Sequence, residues 1–531
     1  MADLSEAAAT ELQLQRALSR QSEHEKQHPN HHHHHNHPNG ETQLNEKPST
    51  ITSGSGSGTA PQDTESACSL SDELTLEGAE NPYNWSTSRR MAITLAVCIH
   101  SLAATMGSSL FTPGIIEMQM GLKMKEIASY AALSVYVAGM AVGPVLFAPM
   151  SEVYGRRFVL VPAWIVFLGF TAGCAASKNT ASMLVCRLFA GVFASPTLTV
   201  AGGMVTDLWP RERLGYVAMG LFTMTAFLGP VLGPIIGGYL VQNLSADQGW
   251  RWCFWFLLIF SGACSLNWSW IPETYTPTLL EKKRRAIPED IRPPLKPGAE
   301  ASWELYKNSI TRPIMLLVLD PVVFLSSLYV SFVFAIIYLF LGAYPVIFRG
   351  RYGMTPGESG LAFLGIGFGV ILVFPCAGYA NAKYLELKKA RGIEPHMPFP
   401  EGRLLMAIFG AFLVPVSLFW FAWTGKKEIH WIVPVLSGVP FGLGLTTVFI
   451  SLVSYLAEAY YEFSASAIAA NTILRSLMAA AFPLFVSKMY RDMKPEWASS
   501  TLGFVALAFI PVPWLFWKYG HKLRERSKFK P

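Results

Sequence analysis

An apolar run of about 20 residues contains a ladder of glycine and proline, Gly229-Pro230-Val231-Leu232-Gly233-Pro234-Ile235-Ile236-Gly237-Gly238. Gly229, Gly233 and Gly237 are spaced four residues apart, so they share one helix face and allow a neighbouring backbone to approach closely. Each proline removes a hydrogen bond from the helix, a defect that membrane helices tolerate better than soluble ones. The ladder therefore predicts a bent membrane helix packed tightly against a partner, as is typical of transporters.

The composition of the chain agrees with a membrane protein. Of its 531 residues, 51% are hydrophobic and 15% are charged, whereas about 25% are charged in ordinary soluble domains. Hydrophobic runs long enough to cross a bilayer recur twelve times, which predicts an all-α polytopic fold. We expect the spans at 91–112, 127–149, 158–176, 181–206, 214–242, 252–271, 316–344, 358–379, 404–423, 431–456, 464–486 and 499–517.

Basic residues predict the orientation of these spans. With the amino terminus inside, the cytoplasmic segments carry more lysine and arginine than the outer loops, including the run Lys282-Lys283-Arg284-Arg285. This positive-inside bias places both termini in the cytoplasm. It also accounts for the net charge of +6 without a nucleic-acid partner, because the inner leaflet is anionic.

Segments outside the spans divide the chain. Residues 1–80 are polar and low in complexity, so we expect a disordered cytoplasmic tail. Its run from His31 to His35 is interpreted as a solvated tract, with metal binding as the alternative. A central cytoplasmic loop at 272–312 separates two six-helix bundles, 89–271 and 313–519, and residues 520–531 form a cytoplasmic carboxy-terminal tail.

A family resemblance begins after the second span. The stretch Gly143-Pro144-Val145-Leu146-Phe147-Ala148-Pro149-Met150-Ser151-Glu152-Val153-Tyr154-Gly155-Arg156-Arg157 resembles the cytoplasmic loop signature of the major facilitator superfamily. Glu152 stands where most of that superfamily has aspartate, a substitution that fungal drug:proton antiporters share. We expect its carboxylate to pair with a basic residue or to cap a neighbouring helix.

Other motifs extend the resemblance to fungal twelve-span drug and polyamine:proton antiporters. Arg187-Leu188-Phe189-Ala190-Gly191 resembles the motif of the fourth helix, and Pro272-Glu273-Thr274-Tyr275 resembles the exit from the sixth. The ladder resembles the antiporter motif, in which Gly229, Pro230, Gly233, Pro234, Gly237 and Gly238 serve as a packing surface and hinge. The resemblance implies two six-helix bundles around a central cavity that opens alternately to each side, in a monomer driven by a proton gradient.

Ionisable side chains within the spans are the first candidates for function, because a charge in the apolar interior is costly unless it is paired or hydrated. The resemblance implies a coupling or substrate-anchoring role for Arg187, and the alternative is a purely structural cation. Arg475 lies deep in span eleven, and Asn471 precedes it by one turn on the same face. These two side chains are predicted to share a ligand.

Proton coupling requires a group that changes charge. His100 lies near the middle of span one, and imidazole titrates near neutral pH. Glu458 lies near the inner end of span ten, where it serves either titration or a structural role at the cytoplasmic gate. Tyr338 in span seven is a candidate for substrate contact, at a position where related transporters often carry a polar or acidic residue.

These features predict a proton-coupled exporter of amphipathic drugs, fungicides or secondary metabolites. The alternatives are a polyamine:proton antiporter, a nutrient or organic-acid transporter, and a sensor derived from a transporter. No nucleotide-binding loop or hydrolase motif is present, so we expect neither an enzyme nor a cofactor. The resemblance favours the plasma membrane over the vacuolar membrane, and Asn243 is the candidate for glycosylation.

Overall fold

The described part of the chain contains twelve helices long and apolar enough to cross a membrane, as the sequence predicts. The computed structural model describes residues 76, 78–209, 213–244, 248–288, 302–394, 397, 399–460 and 463–525. The predicted amino-terminal tail up to residue 75, with the tract from His31 to His35, lies outside the described residues, as do residues 526–531. The helices are α1 Thr87–Gly121, α2 Glu126–Tyr154, α3 Arg156–Ala175, α4 Thr180–Leu208, α5 Val217–Asn243, α6 Gly249–Ser269, α7 Pro321–Phe348, α8 Pro356–Ala390, α9 Pro400–Thr424, α10 Ile432–Ala459, α11 Ser464–Asp492 and α12 Lys494–Glu525.

Helix contacts group the spans into two bundles of six. In the first bundle α1 packs on α5 and α2 on α4, and in the second α7 packs on α11 and α9 on α10. The most extensive contacts between the bundles are those of α2 with α11 and of α5 with α8. This arrangement is the two-bundle fold predicted above, and its repeated pairing is typical of transporters built from two related halves.

The glycine ladder lies on α5 and faces α1. A Cβ atom on Gly233 would lie 2.0 Å from Ser109 Oγ, and one on Gly237 would lie 1.8 Å from the carbonyl oxygen of Leu110. A side chain cannot fit at either position, so the backbones of the two helices are in direct contact. The helix continues through Pro230 and Pro234 without a break. The predicted close packing is confirmed.

Span seven begins later than predicted. Residues 316–319 belong to a separate helix, Ser302–Leu319, and α7 begins at Pro321. Asp320 causes this boundary because its carboxylate accepts hydrogen bonds from the amides of Val322 and Val323 at 2.9 and 3.1 Å. Tyr460 donates a further hydrogen bond to the same oxygen at 2.6 Å. Burial and this bond raise the pKa of Tyr460, which stays a hydrogen-bond donor.

Helices also occupy the segment predicted as a central loop. Thr276–Arg285 is helical and carries the basic run Lys282-Lys283-Arg284-Arg285, and Ser302–Leu319 follows residues outside the described part. Polar and charged residues dominate the first of these helices. It follows Ile271 and Pro272 at the inner end of α6, which keeps it outside the membrane spans.

Candidate functional site

A cavity lies between the two bundles at the middle of the spans. Its volume is about 30 Å³, which holds roughly two water molecules. Hydroxyl groups line much of it, from Thr105, Ser195, Thr199, Thr472 and Ser476. Aliphatic side chains, Phe334, Tyr338 and Arg475 complete the lining. No aspartate or glutamate lines the cavity within the part of the chain that the structure describes.

Arg475 is the charged side chain of this lining. Its guanidinium carbon lies 4.7 Å from the ring centre of Phe334 and 5.1 Å from that of Phe449. The Nε atom is buried and has no hydrogen-bond partner among the described residues. Aromatic faces attract a cation but accept no conventional hydrogen bond from it. The guanidinium therefore reaches the cavity with unused donors.

Arg187 differs from Arg475 although both are cations of the transmembrane interior. It is only 1% exposed, and all three nitrogens donate to backbone carbonyls. The donor–acceptor distances are 2.9 Å to Ala132, 2.7 Å to Gly107 and 3.1 Å to Ser108. These bonds tie α4 to α1 and α2, an arrangement that supports the structural alternative for this residue.

Tyr338 links the bundles next to Arg475. Its hydroxyl lies 3.4 Å from Ser108 Oγ on α1, while Ser108 Oγ itself donates to the carbonyl of Thr105 at 2.7 Å. Tyr338 is therefore the donor in the bond between α7 and α1. The predicted candidate Tyr338 thus lies beside the cavity, together with Arg475.

The remaining polar candidates do not line the cavity. Asn471 is buried one turn before Arg475, and its amide nitrogen has no partner among the described residues. His100 approaches the carbonyl of Ala96 at 2.7 Å through Nδ1, and its ring packs against Trp164 and Trp268 inside the first bundle. The proton-relay role of His100 and the shared ligand of Asn471 stay predictions.

Glu458 takes part in an ion-pair network at the inner end of the second bundle. It accepts from Arg403 Nε at 2.7 Å and from the hydroxyl of Tyr384 at 3.2 Å. Close by, Glu401 pairs with Arg524 at 2.6 Å. This network joins α8, α9, α10 and α12, which is the geometry expected of the structural alternative for Glu458.

The loop motif between α2 and α3 forms a similar network in the first bundle. Arg156 pairs with Asp207 at 3.3 Å, and its guanidinium lies 4.5 Å from the ring centre of Tyr275. Burial raises the pKa of Tyr275. Gly155 has φ +97°, a left-handed conformation, and a Cβ atom there would lie 2.7 Å from Glu273 Oε2. Glycine is therefore required at this turn.

Glu273, rather than Glu152, is the carboxylate that caps a helix here. Its two oxygens accept from the amides of Arg156 and Arg157 at 3.0 and 2.9 Å, at the amino terminus of α3. Glu152 is exposed, and the structure gives it no hydrogen bond or ion pair among the described residues. Glu152 does not cap this terminus in the present conformation, because Glu273 already occupies it. The charge of Arg156 acts on Glu152 without a close ion pair, so the pairing of Glu152 with a basic residue stays a prediction.

The end of the cavity that the basic residues predict to be outside is closed. Both ion pairs that join the two bundles within the described ranges lie there, Arg349 with Glu117 at 3.7 Å and Arg491 with Glu126 at 3.3 Å. Ser487 of α11 also donates to Glu126 of α2. The described inner networks stay within one bundle each. The structure is thus closed at this predicted outer end, where the two ion pairs hold the bundles together.

Several of these functional contacts escaped the sequence-based prediction. Glu273 belongs to a recognised motif, but its role as a cap depends on a helix more than a hundred residues away. Ser108 and the pair Glu126–Arg491 carry no local motif at all. The hydroxyls of Thr472 and Ser476 flank Arg475 in sequence, and this spacing is the one signal that was available.

Comparison with known proteins agrees with the geometry. The profile of the Major Facilitator Superfamily matches residues 94–483. An MFS-type efflux pump of Trichophyton rubrum is 40% identical over 85% of this chain and 75% of its own length. A multidrug transporter of Aspergillus fumigatus is 37% identical over 85% and 74%, and polyamine transporter 4 of Saccharomyces cerevisiae is 36% identical over 85% and 72%.

The fold has solved counterparts as well. A partially occluded, inward-open structure of the xylose transporter XylE from E. coli aligns with a TM-score of 0.54 at 15% identity, covering 81% of this chain and 99% of that one. This chain belongs to the major facilitator superfamily, and it is a multi-pass membrane protein related to fungal efflux pumps.

Proposed function

We propose that this member of the superfamily exports neutral or weakly acidic amphipathic compounds, such as drugs, fungicides or secondary metabolites, in exchange for protons. The observation that carries the proposal is the cavity lining, which combines Arg475, two aromatic rings, hydroxyl groups and aliphatic side chains with no described carboxylate. Such a surface suits an apolar body with a few hydrogen-bond acceptors. Relatives named as an efflux pump and a multidrug transporter support export.

Polyamine exchange is the second candidate, because a polyamine transporter is among the relatives. A polyamine carries several positive charges and is recognised best by carboxylates. Arg475 places a positive charge in the cavity instead, which repels such a substrate at close range. A nutrient transporter and a sensor are less well supported, since no described feature favours either. An organic-acid transporter would share the cationic cavity lining, but the relatives named as an efflux pump and a multidrug transporter support export.

Alternating access follows from the contacts between the bundles. The outer end is held by two ion pairs between partly exposed side chains, each worth about 0–1 kcal/mol. Ion pairs this weak separate at little cost, and the backbone contact of α5 with α8 beside them has to separate as well, whereas the α1–α5 interface lies within the first bundle. We propose that the bundles move as units and that the outer ion pairs break when the cavity opens outward.

The energy source in this proposal is the proton gradient, without a cofactor. Because the described cavity lining holds no carboxylate, the coupling proton in this proposal binds outside the cavity. His100 and Glu458, predicted from the sequence, are the candidates for the group that binds it. We place the protein in the plasma membrane as a monomer. Asn243 is exposed at the outer end of α5, where it is placed to accept a glycan.

Transport by purified protein in liposomes tests the proposal. A panel of amphipathic weak acids and neutral drugs is compared with spermine, with and without an imposed pH gradient and a protonophore. We expect flux of amphipathic compounds that rises with the gradient and collapses with the protonophore, and no flux of spermine. Selective spermine flux, or flux that ignores the gradient, would contradict the proposal, and protein-free liposomes are the control.

In cells, a deletion strain complemented with wild type, Arg187→Ala or Arg475→Ala extends this test. Export and drug susceptibility are read alongside the amount of folded protein at the membrane. If Arg187 is structural, Arg187→Ala lowers export together with the amount of folded protein. A normal amount of Arg187→Ala protein without export would instead support the coupling role.

A further inference from the structure

The unused donors of Arg475 carry information about the transported compound. An unpaired charge inside the membrane region costs several kcal/mol. Arg475 nevertheless forms no hydrogen bond or ion pair with any described residue. Phe334 and Phe449 cover its face and so shield it partly without pairing it. A partner that is not part of the described chain is therefore needed to satisfy it.

Arg187 provides an internal comparison, because it is the other arginine of the transmembrane interior described above. Its three nitrogens are all bonded to carbonyls, and its guanidinium lies between Tyr136 and Phe111 at 4.2 and 4.6 Å from the ring centres. The same fold thus gives every nitrogen of one interior arginine a hydrogen bond and gives the other arginine none among the described residues. Only the second, Arg475, lines the cavity. The difference indicates that Arg475 is held ready for an exchangeable partner.

The surroundings of Arg475 define what that partner contains. The hydroxyl of Ser476 lies beside it in the lining and can donate to the same acceptor group, whereas that of Thr472 already donates to the carbonyl of Ile468 at 2.9 Å. Tyr338 lies in the lining beside them. Guanidinium pairs with carboxylate in a bidentate manner, which makes two parallel hydrogen bonds. Opposite this polar corner, Val137, Met140 and Leu198 of the first bundle offer an apolar surface.

We infer that the substrate is an amphipathic carboxylate whose anionic group binds Arg475 while its apolar body lies against α2 and α4. Because the described cavity has room for about two water molecules, this site has to widen as the bundles move apart. This inference deepens the proposed function and rests on it for the assignment of the cavity as the transport site. It narrows the proposed range of substrates from neutral or weakly acidic compounds to those that carry an acid group. A neutral compound would leave the buried Nε atom without a charged partner.

Binding to purified protein in detergent tests the inference independently of transport. Thermal unfolding is measured with matched pairs of aromatic acids and their amides, such as 2-naphthoate with 2-naphthamide and biphenyl-4-carboxylate with its amide, at a pH where the acids are ionised. We expect acids to stabilise the protein and amides to do so at about 10- to 100-fold higher concentration, because a charge-assisted pair contributes about that factor.

Three variants complete the experiment. Arg475→Met preserves the volume without the charge, and it should remove the preference for acids. Arg475→Lys keeps the charge without the bidentate geometry, and it should retain a weakened preference. Arg285→Gln removes an exposed cation of the Thr276–Arg285 helix and should behave as wild type.

The outcomes separate the two proposals. Equal stabilisation by acids and amides, no stabilisation by any acid, or acid selectivity that persists in Arg475→Met would each overturn the inference. The proposed export in exchange for protons would survive those results, since it is measured as flux across a membrane. Conversely, acid-selective binding without gradient-dependent flux would support the inference on ligand chemistry and contradict the transport proposal.

Discussion

Replacement of Gly237 by alanine should separate α1 from α5. A Cβ atom there would lie 1.8 Å from the carbonyl oxygen of Leu110, whereas ordinary contacts begin near 3.4 Å, so the helices have to move apart by about 1.6 Å. A backbone atom cannot rotate away as a side chain can. Overpacking of this kind costs about 1–3 kcal/mol or more, and alanine recovers about 0.5–1 kcal/mol of helix stability. We expect a net loss of about 1–2 kcal/mol.

Gly220 is the matched control on the same helix. A Cβ atom at Gly220 would meet nothing within 4 Å, so Gly220→Ala should be neutral or more stable by up to about 1 kcal/mol. Gly229→Ala should resemble Gly237→Ala, because its Cβ atom would lie 1.9 Å from Thr105 Oγ1 and 2.7 Å from the amide nitrogen of Met106. Unfolding in detergent gives the order of stability. If Gly237→Ala is as stable as Gly220→Ala, the ladder does not form the α1–α5 contact described above.

Four further outcomes follow from the contacts. Arg187→Lys should lower the free energy of unfolding by about 2–4 kcal/mol, because the single ammonium nitrogen of lysine cannot reach three carbonyls on two helices. Unfolding in detergent measures this loss, and unchanged stability with lost transport would indicate a direct role of Arg187 in transport. Glu273→Gln should cost about 1–3 kcal/mol by the same assay, because only one amide oxygen remains to accept the backbone bonds at the start of α3. Hydrogen bonds, first from Arg284, lower the pKa of Glu281 to about 2. The ionised Glu281 therefore stabilises the fold at all pH values above its ordinary pKa, and this stabilisation is lost only as the pH falls towards 2. The pH profile of transport should be the same in Glu281→Gln and wild type from about pH 5 to 8, and a shifted profile would contradict this. Gly238→Ala should weaken the contact between the bundles at the outer end, because a Cβ atom there would lie 2.4 Å from the carbonyl oxygen of Pro356 on α8. An impermeant maleimide should label Ser359→Cys severalfold more when Gly238→Ala is also present. Equal labelling with and without Gly238→Ala would argue against a closing role for this contact.

The twelve spans were predictable because the thickness of the bilayer sets the length and hydropathy that a membrane helix needs. The close packing of the ladder was predictable because the spacing of the glycines determines which helix face lacks side chains. The start of α7 was not, since it depends on Asp320 capping the helix rather than on hydropathy. The sequence also does not show which of the two interior arginines has hydrogen-bond partners within the protein. The partners of Arg187 are backbone carbonyls of α1 and α2, and such acceptors exist at every residue, so only the packing of three helices selects them.

The same limit explains the loop motif. Glu152 matched the expected acidic position, yet the cap at α3 comes from Glu273, which is distant in sequence and adjacent in space. A motif identifies residues that have a role in the fold, but it does not show which of several nearby carboxylates caps a helix terminus. That depends on which carboxylate the fold brings closest to the free amides. In the present conformation Glu273 occupies that site and leaves Glu152 exposed.

The ladder has two faces, and they serve different contacts. Gly229, Gly233 and Gly237 pack against α1 in the same bundle, while Gly238 and the carbonyl of Pro234 meet Pro356 and Gly360 of α8 in the other bundle. The first contact need not change when the cavity opens, because both helices belong to one unit. The second has to separate for the cavity to reach the outside, since it lies at the closed end with the pair Arg349–Glu117. Both contacts bring backbone close to backbone, and the side chains between α1 and α5 are the small Thr105 and Ser109, whose hydroxyls lie against Gly229 and Gly233. A surface of this kind packs closely when shut and offers few side chains to disentangle on opening, which suits a helix that holds its own bundle together while it forms a gate with the other.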